Sequence, residues 1–257
     1  MPDTPYVPPK IWTHDAPSGG KFASINAPTA GAREEKALPV GKHPLQLYSL
    51  ATPNGVKVSI MLEEIGLPYE PHFIDITKNE TWGPEFLSLN PNGKIPAIID
   101  PDGPGGKPLA LFESGAILFY LAEKTGQFLS ADPARRYETL QWVMFQMGGM
   151  GPIFGQVGFF NKFAGKAIED KRPLERYVAE SKRVLGVLDG RLEGCDWVMD
   201  DYSIADISML GWVRNLIGFY EARDLVGFDS LKNVPAWLER GLARPAVQRG
   251  LEIPKRP

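Results

Sequence analysis

Between Leu45 and Ile76 the chain runs through a short apolar segment, a polar turn, an amphipathic stretch and a second β-rich segment. This order constrains the fold more than any other feature of the sequence. Leu45 to Leu50 reads as a largely buried strand. It leads straight into Ala51-Thr52-Pro53-Asn54-Gly55, where Thr52 or Asn54 can cap a helix and Pro53 suits a first helical turn. Val58, Met61, Leu62 and Ile65 recur at helical spacing until Gly66 and Pro68 end the pattern. Tyr69 to Ile76 supplies a second strand, and Pro71 places it at a sheet edge. A strand, a helix and a strand within about thirty residues form a βαβ unit, which requires a parallel pair and a right-handed crossover.

Thr81 to Leu89 reads as a short helix or irregular turn, broken by Asn90-Pro91-Asn92-Gly93. Lys94 to Ile99 predicts a third strand, the loop from Asp100 to Gly106 is dense with turn residues, and Pro108 to Phe112 returns antiparallel as a fourth. A helix then starts at Ser114, carries Ile117, Leu118, Leu121 and Ala122 as its apolar stripe, and ends near Gly126. This element order resembles that of a thioredoxin-like α/β domain, assigned to 45–126. Residues 127–133 read as a linker. Beyond it every periodic segment is helical, giving an all-α domain over 134–257 with helices at Ala134 to Met147, Ile153 to Ala164, Leu174 to Leu192, Ile204 to Ile217 and Val234 to Leu242. Ser203-Ile204-Ala205-Asp206 has the form of a capping box. Residues 1–44 are rich in Pro, Gly and Ala without periodicity, and read either as a loose tail or as an extended N-terminal arm pinned by Trp12, Phe22 and Ile25.

Composition narrows the partners. A net charge of −3 offers no electrostatic footprint for nucleic acid or an anionic membrane surface, so neither is expected. No apolar run approaches the roughly 20 residues of a membrane span. Met1 to Lys21 lacks the basic start and apolar core of a secretory signal, so a cytoplasmic location is expected. Cys195 is the single cysteine, and His14, His43 and His72 are scattered without metal-ligand spacing; no metal is expected.

A thioredoxin-like domain that performs its own redox chemistry carries Cys-x-x-Cys where the first strand meets the helix. Here that place holds Thr52-Pro53-Asn54-Gly55, so any thiol must arrive with a ligand. A thiol peptide needs three contacts. A cis Ile95-Pro96 bond would turn the Ile95 backbone outward to pair with it, whereas a trans bond would merely start a strand. Glu113 and Ser114, at a helix start, suit a ligand ammonium and carboxylate, or form a simple cap beside an exposed acid. Thr52 and Asn54 can donate hydrogen bonds to a sulfur at the positive end of the helix, favouring its thiolate. Tyr48 reads as packing. The glycines around Met147 to Pro152 do not spell a nucleotide-binding loop, and Ser114 is not in a G-x-S-x-G elbow. That stretch, with Phe154, Phe159, Phe160 and Phe163, reads as core with a bend or as an apolar co-substrate pocket.

Four motifs, Thr52-Pro53-Asn54-Gly55, Asn90-Pro91-Asn92-Gly93-Lys94-Ile95-Pro96-Ala97, Phe112-Glu113-Ser114-Gly115-Ala116-Ile117 and Ser203-Ile204-Ala205-Asp206-Ile207, together resemble a glutathione transferase. The chain is similar to the Nu class of bacterial and fungal enzymes over almost its whole length. The arm matches too, through Phe22 to Asn26 and Leu38 to Leu45. The resemblance implies glutathione as co-substrate, a homodimer, and two glutathiones per active site. It places Thr52 and Asn54 at the sulfur, Lys94, Ile95 and Pro96 along the peptide, and Glu113 with Ser114 at the γ-glutamyl end. Asn26 and Arg176 would touch the second glutathione. Thr81 stands where relatives often have the longer Gln or His, which puts its contact in doubt. The implied activity is disulfide-bond reduction, acting on a small disulfide or aromatic electrophile. β-Aryl ether cleavage by a glutathione lyase and a non-catalytic regulatory role are the alternatives, and the lack of an Asn/Gln-rich extension disfavours the last.

Overall fold

The computed structural model describes residues 38–256 together with Val7, Lys10 and Ile11. The expectations placed on Trp12, Phe22, Ile25 and Asn26 lie outside the described residues. Strand β1 (Leu45–Ser49) is buried along its whole length and is followed by α1 (Gly55–Ile65) and β2 (Tyr69–Phe73). After the short helix α2 (Pro84–Leu89) come β3 (Ala97–Asp100), β4 (Leu109–Phe112) and α3 (Ser114–Thr125). The sheet order is β2-β1-β3-β4, with β1 parallel to β2 and the other two pairs antiparallel. This is the expected thioredoxin-like arrangement, and Pro71 does sit on an edge strand. The second strand stops at Phe73, earlier than Ile76, because Asp75 accepts the Thr77 N–H and turns the chain into a short 3-10 turn.

The remainder is helical: α4 (Pro133–Phe145), α5 (Gly151–Asn161), α6 (Arg172–Arg191), α7 (Ile204–Ile217), α8 (Val234–Leu242) and α9 (Pro245–Gly250). The bend expected over Met147 to Pro152 is instead a widened turn, Gln146–Met150, through which α4 continues into α5. Pro152 has no N–H for the carbonyl four residues back, and the Gly151 N–H reaches the Gln146 carbonyl instead, so the backbone widens without breaking. The capping box is present: Ser203 accepts the Ala205 N–H at 3.2 Å and Asp206 accepts the Ser203 N–H at 3.0 Å. Helix α9 was not expected from sequence, its six residues being too short to show a period.

One core joins both halves. Leu47 of β1, Val58 and Met61 of α1 and Leu118 of α3 belong to the same apolar cluster as Leu188, Leu210 and Trp237. Tyr48, pointing to the other face of β1, packs with Ile74, Phe86, Leu89 and Ala97. Its hydroxyl donates to the Pro39 carbonyl and its ring stacks on His72, in keeping with a packing role. Helix α7 is buried on nearly every side and closes directly on the start of α1.

Candidate active site

At the end of β1 the chain turns sharply, the Thr52 N–H bonding to the Leu50 carbonyl at 2.6 Å. A Cβ on Gly55 would lie 1.8 Å from that same carbonyl oxygen, so the turn admits only glycine there. The Gly55 N–H donates to Thr52 Oγ1 at 3.2 Å, which leaves the half-exposed Thr52 hydroxyl with its own proton to give. Pro53 precedes the helix and does not occupy its first turn, and Asn54 stands at the cap position without capping. Its side chain is held from the other half of the molecule. Asn54 Oδ1 accepts a hydrogen bond from Trp212 Nε1 of α7 at 2.9 Å. An indole N–H only donates, so the amide oxygen must face Trp212 and the amide NH₂ is turned away as a donor. Gly211 makes this approach possible, since a Cβ there would meet Val56 Cγ2 at 2.6 Å.

Strand register brings the other motifs to the same place. Ala97 pairs with both Tyr48 and Phe112, so one step further along puts Pro96 level with Ser49 and Glu113. The Ile95-Pro96 peptide is cis. Asn90 braces the loop before it, donating to the Lys94 carbonyl at 2.6 Å and accepting the Asn92 N–H. Lys94 carries its ammonium 5.9 Å from the centre of the Trp82 ring, and burial lowers its pKa. Glu113 is exposed and has a φ of +68°, a conformation that costs a non-glycine residue of order 1–3 kcal/mol and is found at ligand sites. Ser114 is not a cap but the first residue of α3, buried, and its Oγ accepts a hydrogen bond from Lys57 Nζ at 3.2 Å. Sequence pattern alone does not single out Lys57. Its signal there is a single charged residue inside the otherwise uncharged Gly55 to Leu62 run, three residues after Asn54.

Thr52, Asn54, Pro96, Glu113 and Ser114 thus gather at one end of the sheet, over the head of α1. Thr81 is buried in the short turn Glu80–Trp82. Arg176 stands exposed on α6, beside Tyr177, whose ring stacks on Phe160 of α5. A shallow polar hollow lined by Leu192, Cys195, Asp200 and Asn233 contains none of the residues singled out from sequence. Among the described residues, no cluster of His, Cys, Asp and Glu could hold a metal ion, and no helix is long and apolar enough to cross a membrane.

The sequence model of the glutathione S-transferase N-terminal domain matches residues 43–123. The disulfide-bond oxidoreductase YghU of Escherichia coli is 44% identical, covering 97% of this chain and 88% of that protein. A glutathione transferase from Pseudomonas putida, solved with one glutathione disulfide bound per subunit, is 67% identical with a TM-score of 0.82, covering 83% of this chain and 94% of that one. Another, from Burkholderia graminis, solved with two glutathione molecules bound per subunit, is 61% identical with a TM-score of 0.82, covering 95% and 99%. With a thioredoxin-like half, an all-α half and near-full-length identity of this order, the chain belongs to the glutathione S-transferase family.

Proposed function

We propose that the protein is a Nu-class glutathione-dependent disulfide-bond reductase in which Thr52 and Asn54 hold a glutathione thiolate. The observation that carries this is the Trp212 bond, which turns the Asn54 NH₂ away from the indole at the head of α1, in the place where a self-sufficient redox domain has a cysteine. A free thiol of this kind titrates near 8.5. Two donors and the helix N-terminus favour its ionised form, each charge-assisted bond contributing about 1.5–3 kcal/mol.

The bound thiolate attacks one sulfur of a small disulfide, forming a mixed disulfide while the other half leaves as a thiolate and takes up a proton. A second glutathione thiolate then attacks the glutathione sulfur of that mixed disulfide, giving oxidised glutathione and releasing the second thiol. Ile95 pairs with the peptide backbone beside Lys94 and Pro96, Glu113 takes the γ-glutamyl ammonium, and Ser114 its carboxylate. Asn26 and Arg176 serve the second glutathione, and Thr81 a lesser contact. The same reading assigns 45–126 to glutathione, 127–133 to a linker and 134–257 to the co-substrate, in a cytoplasmic homodimer. The relatives solved with glutathione disulfide or with two glutathiones support this stoichiometry.

The test is the double variant Thr52→Val with Asn54→Ala, assayed with glutathione on a small dialkyl disulfide, an aryl halide and a β-aryl ether. Loss of two such bonds predicts a rate at least about 100-fold lower on the disulfide. Wild-type turnover in the double variant would remove both residues from the chemistry, and activity confined to the ether would replace disulfide reduction.

A further inference from the structure

Lys57 is fully buried within α1. Its ammonium contacts Ser114 Oγ at 3.2 Å, Met147 Sδ at 3.3 Å and Gln146 Oε1, all uncharged acceptors. No carboxylate lies within ion-pair distance of it among the described residues. A buried cation without a counter-ion is strongly unfavourable, and replacement by an apolar side chain would be the simpler solution. The position of this one explains its presence. It lies beneath Ser114, the residue assigned above to the glutathione carboxylate.

We propose that Lys57 is part of the glutathione site, supplying through Ser114 the buried counter-charge of the γ-glutamyl carboxylate. The idea rests on the reading of Glu113 and Ser114 as the γ-glutamyl end. A serine hydroxyl has one proton and two lone pairs; with Lys57 donating into one lone pair, the proton is free to point at the ligand. In its absence the nearest acceptor is Met147 Sδ at 3.6 Å, a weak one. The surroundings leave the charge to the ligand. On α9 and the turn before it, Arg249 and Arg244 pair with Glu63 and Glu64. On α3, Lys124 pairs with Asp100 and Glu123 with Arg136. On α7, Asp206 accepts from Val198 and Trp237, and Arg214 is exposed. Only Glu113, exposed at the head of α3, acts appreciably on Lys57, and in the complex it faces the ligand ammonium.

Burial pushes the Lys57 pKa down to about 7, with Glu113 opposing. The arriving carboxylate favours the ammonium and raises that value again, so binding takes up a proton wherever the free protein holds neutral lysine. Affinity is then highest below pH 7 and falls as pH rises between the free and bound values.

S-Methylglutathione, whose blocked sulfur cannot titrate, is the probe. Calorimetric titration at pH 6.5, 7.5 and 8.5 in two buffers of different ionisation enthalpy gives both affinity and proton count. The wild type is expected to take up a fraction of a proton at pH 7.5 and to approach about one near pH 8.5. Lys57→Met is expected to bind at least about ten times more weakly at pH 6.5, to take up none, and to show a gap from wild type that closes with pH. A wild type that takes up no proton overturns the proposal without recourse to any variant, and so does equal uptake in Lys57→Met. Ser114→Ala and Glu113→Gln separate the two layers. If they lose affinity while Lys57→Met matches wild type, only the role of Lys57 falls. If they bind S-methylglutathione as wild type does, the reading of the γ-glutamyl end falls with it.

Discussion

In the ligand-free protein Lys57→Met should be stabilising, in spite of removing a fully buried, hydrogen-bonded side chain. Carrying the ammonium from its ordinary 10.5 to about 7 corresponds to about 5 kcal/mol of net penalty on the charged form, burial outweighing the opposing attraction of Glu113. Methionine keeps the length and apolar body of the side chain and removes that charge. Against this, the buried Gln146 Oε1 loses its donor, at about 1–3 kcal/mol. The balance is a gain of about 2–4 kcal/mol near neutral pH, or roughly 5–15 °C in Tm for a chain of this size. The pH dependence gives the argument its sign. The folded-state pKa lies below the unfolded one, so the stability associated with neutral Lys57 is fully present above about 10.5 and is lost as pH falls to about 7. Relative to the variant, the wild type therefore gains about 1.4 kcal/mol per pH unit from 7 upward. Thermal and urea unfolding without ligand, at pH 6.5, 8 and 9.5 and at one protein concentration, measure this directly. A variant less stable than wild type at pH 6.5, or a gap that does not change with pH, would refute the reasoning.

Three further outcomes follow from packing. Trp212→Phe keeps the ring but loses the N–H that orients Asn54, so the amide is free to turn; the pH-rate profile for the glutathione thiol should move to higher pH by about half a unit to one unit, with KM for glutathione little changed. An unmoved profile would show that Asn54 is oriented by something else. Asp206→Ala strands the Val198 and Ser203 N–H groups and the Trp237 indole N–H in the core and should cost about 3–5 kcal/mol in urea unfolding, whereas a cost under about 1 kcal/mol would mean water replaces the carboxylate. Gly250→Ala would push a Cβ to 2.6 Å from the Ile60 backbone and break the Ser59 hydroxyl bond to the Gly250 carbonyl; Tm should fall by several degrees, and an unchanged Tm would show that α9 can move off α1 without cost.

The local elements were largely legible because their signals are local. The period of Val58, Met61, Leu62 and Ile65, the turn residues from Asp100 to Gly106 and the Ser203 capping box each specify a helix, a hairpin or a helix start without help from distant residues. The join at Asn54 was only half legible. Its polar, cysteine-free sequence pointed to a donor site, but the expectation of a side-chain cap failed for Asn54, because a residue 158 positions away claims its oxygen. The widened turn at Gln146 to Met150 was unreadable for a similar reason: a proline and three glycines announce an irregularity, and only packing decides between a bend and a widened helix.

What the sequence determined by itself was the order of elements, the absence of a redox cysteine, and the residue types available at the head of α1. The tertiary structure decided which way those groups face. Trp212 sets the direction of the Asn54 amide, the strand register brings Pro96 and Glu113 level with the end of β1, and the shared core buries Lys57 against Ser114 and Gln146. Periodicity and turn chemistry act over a few residues and can be read along the chain, whereas hydrogen-bond direction and desolvation depend on neighbours that only folding supplies.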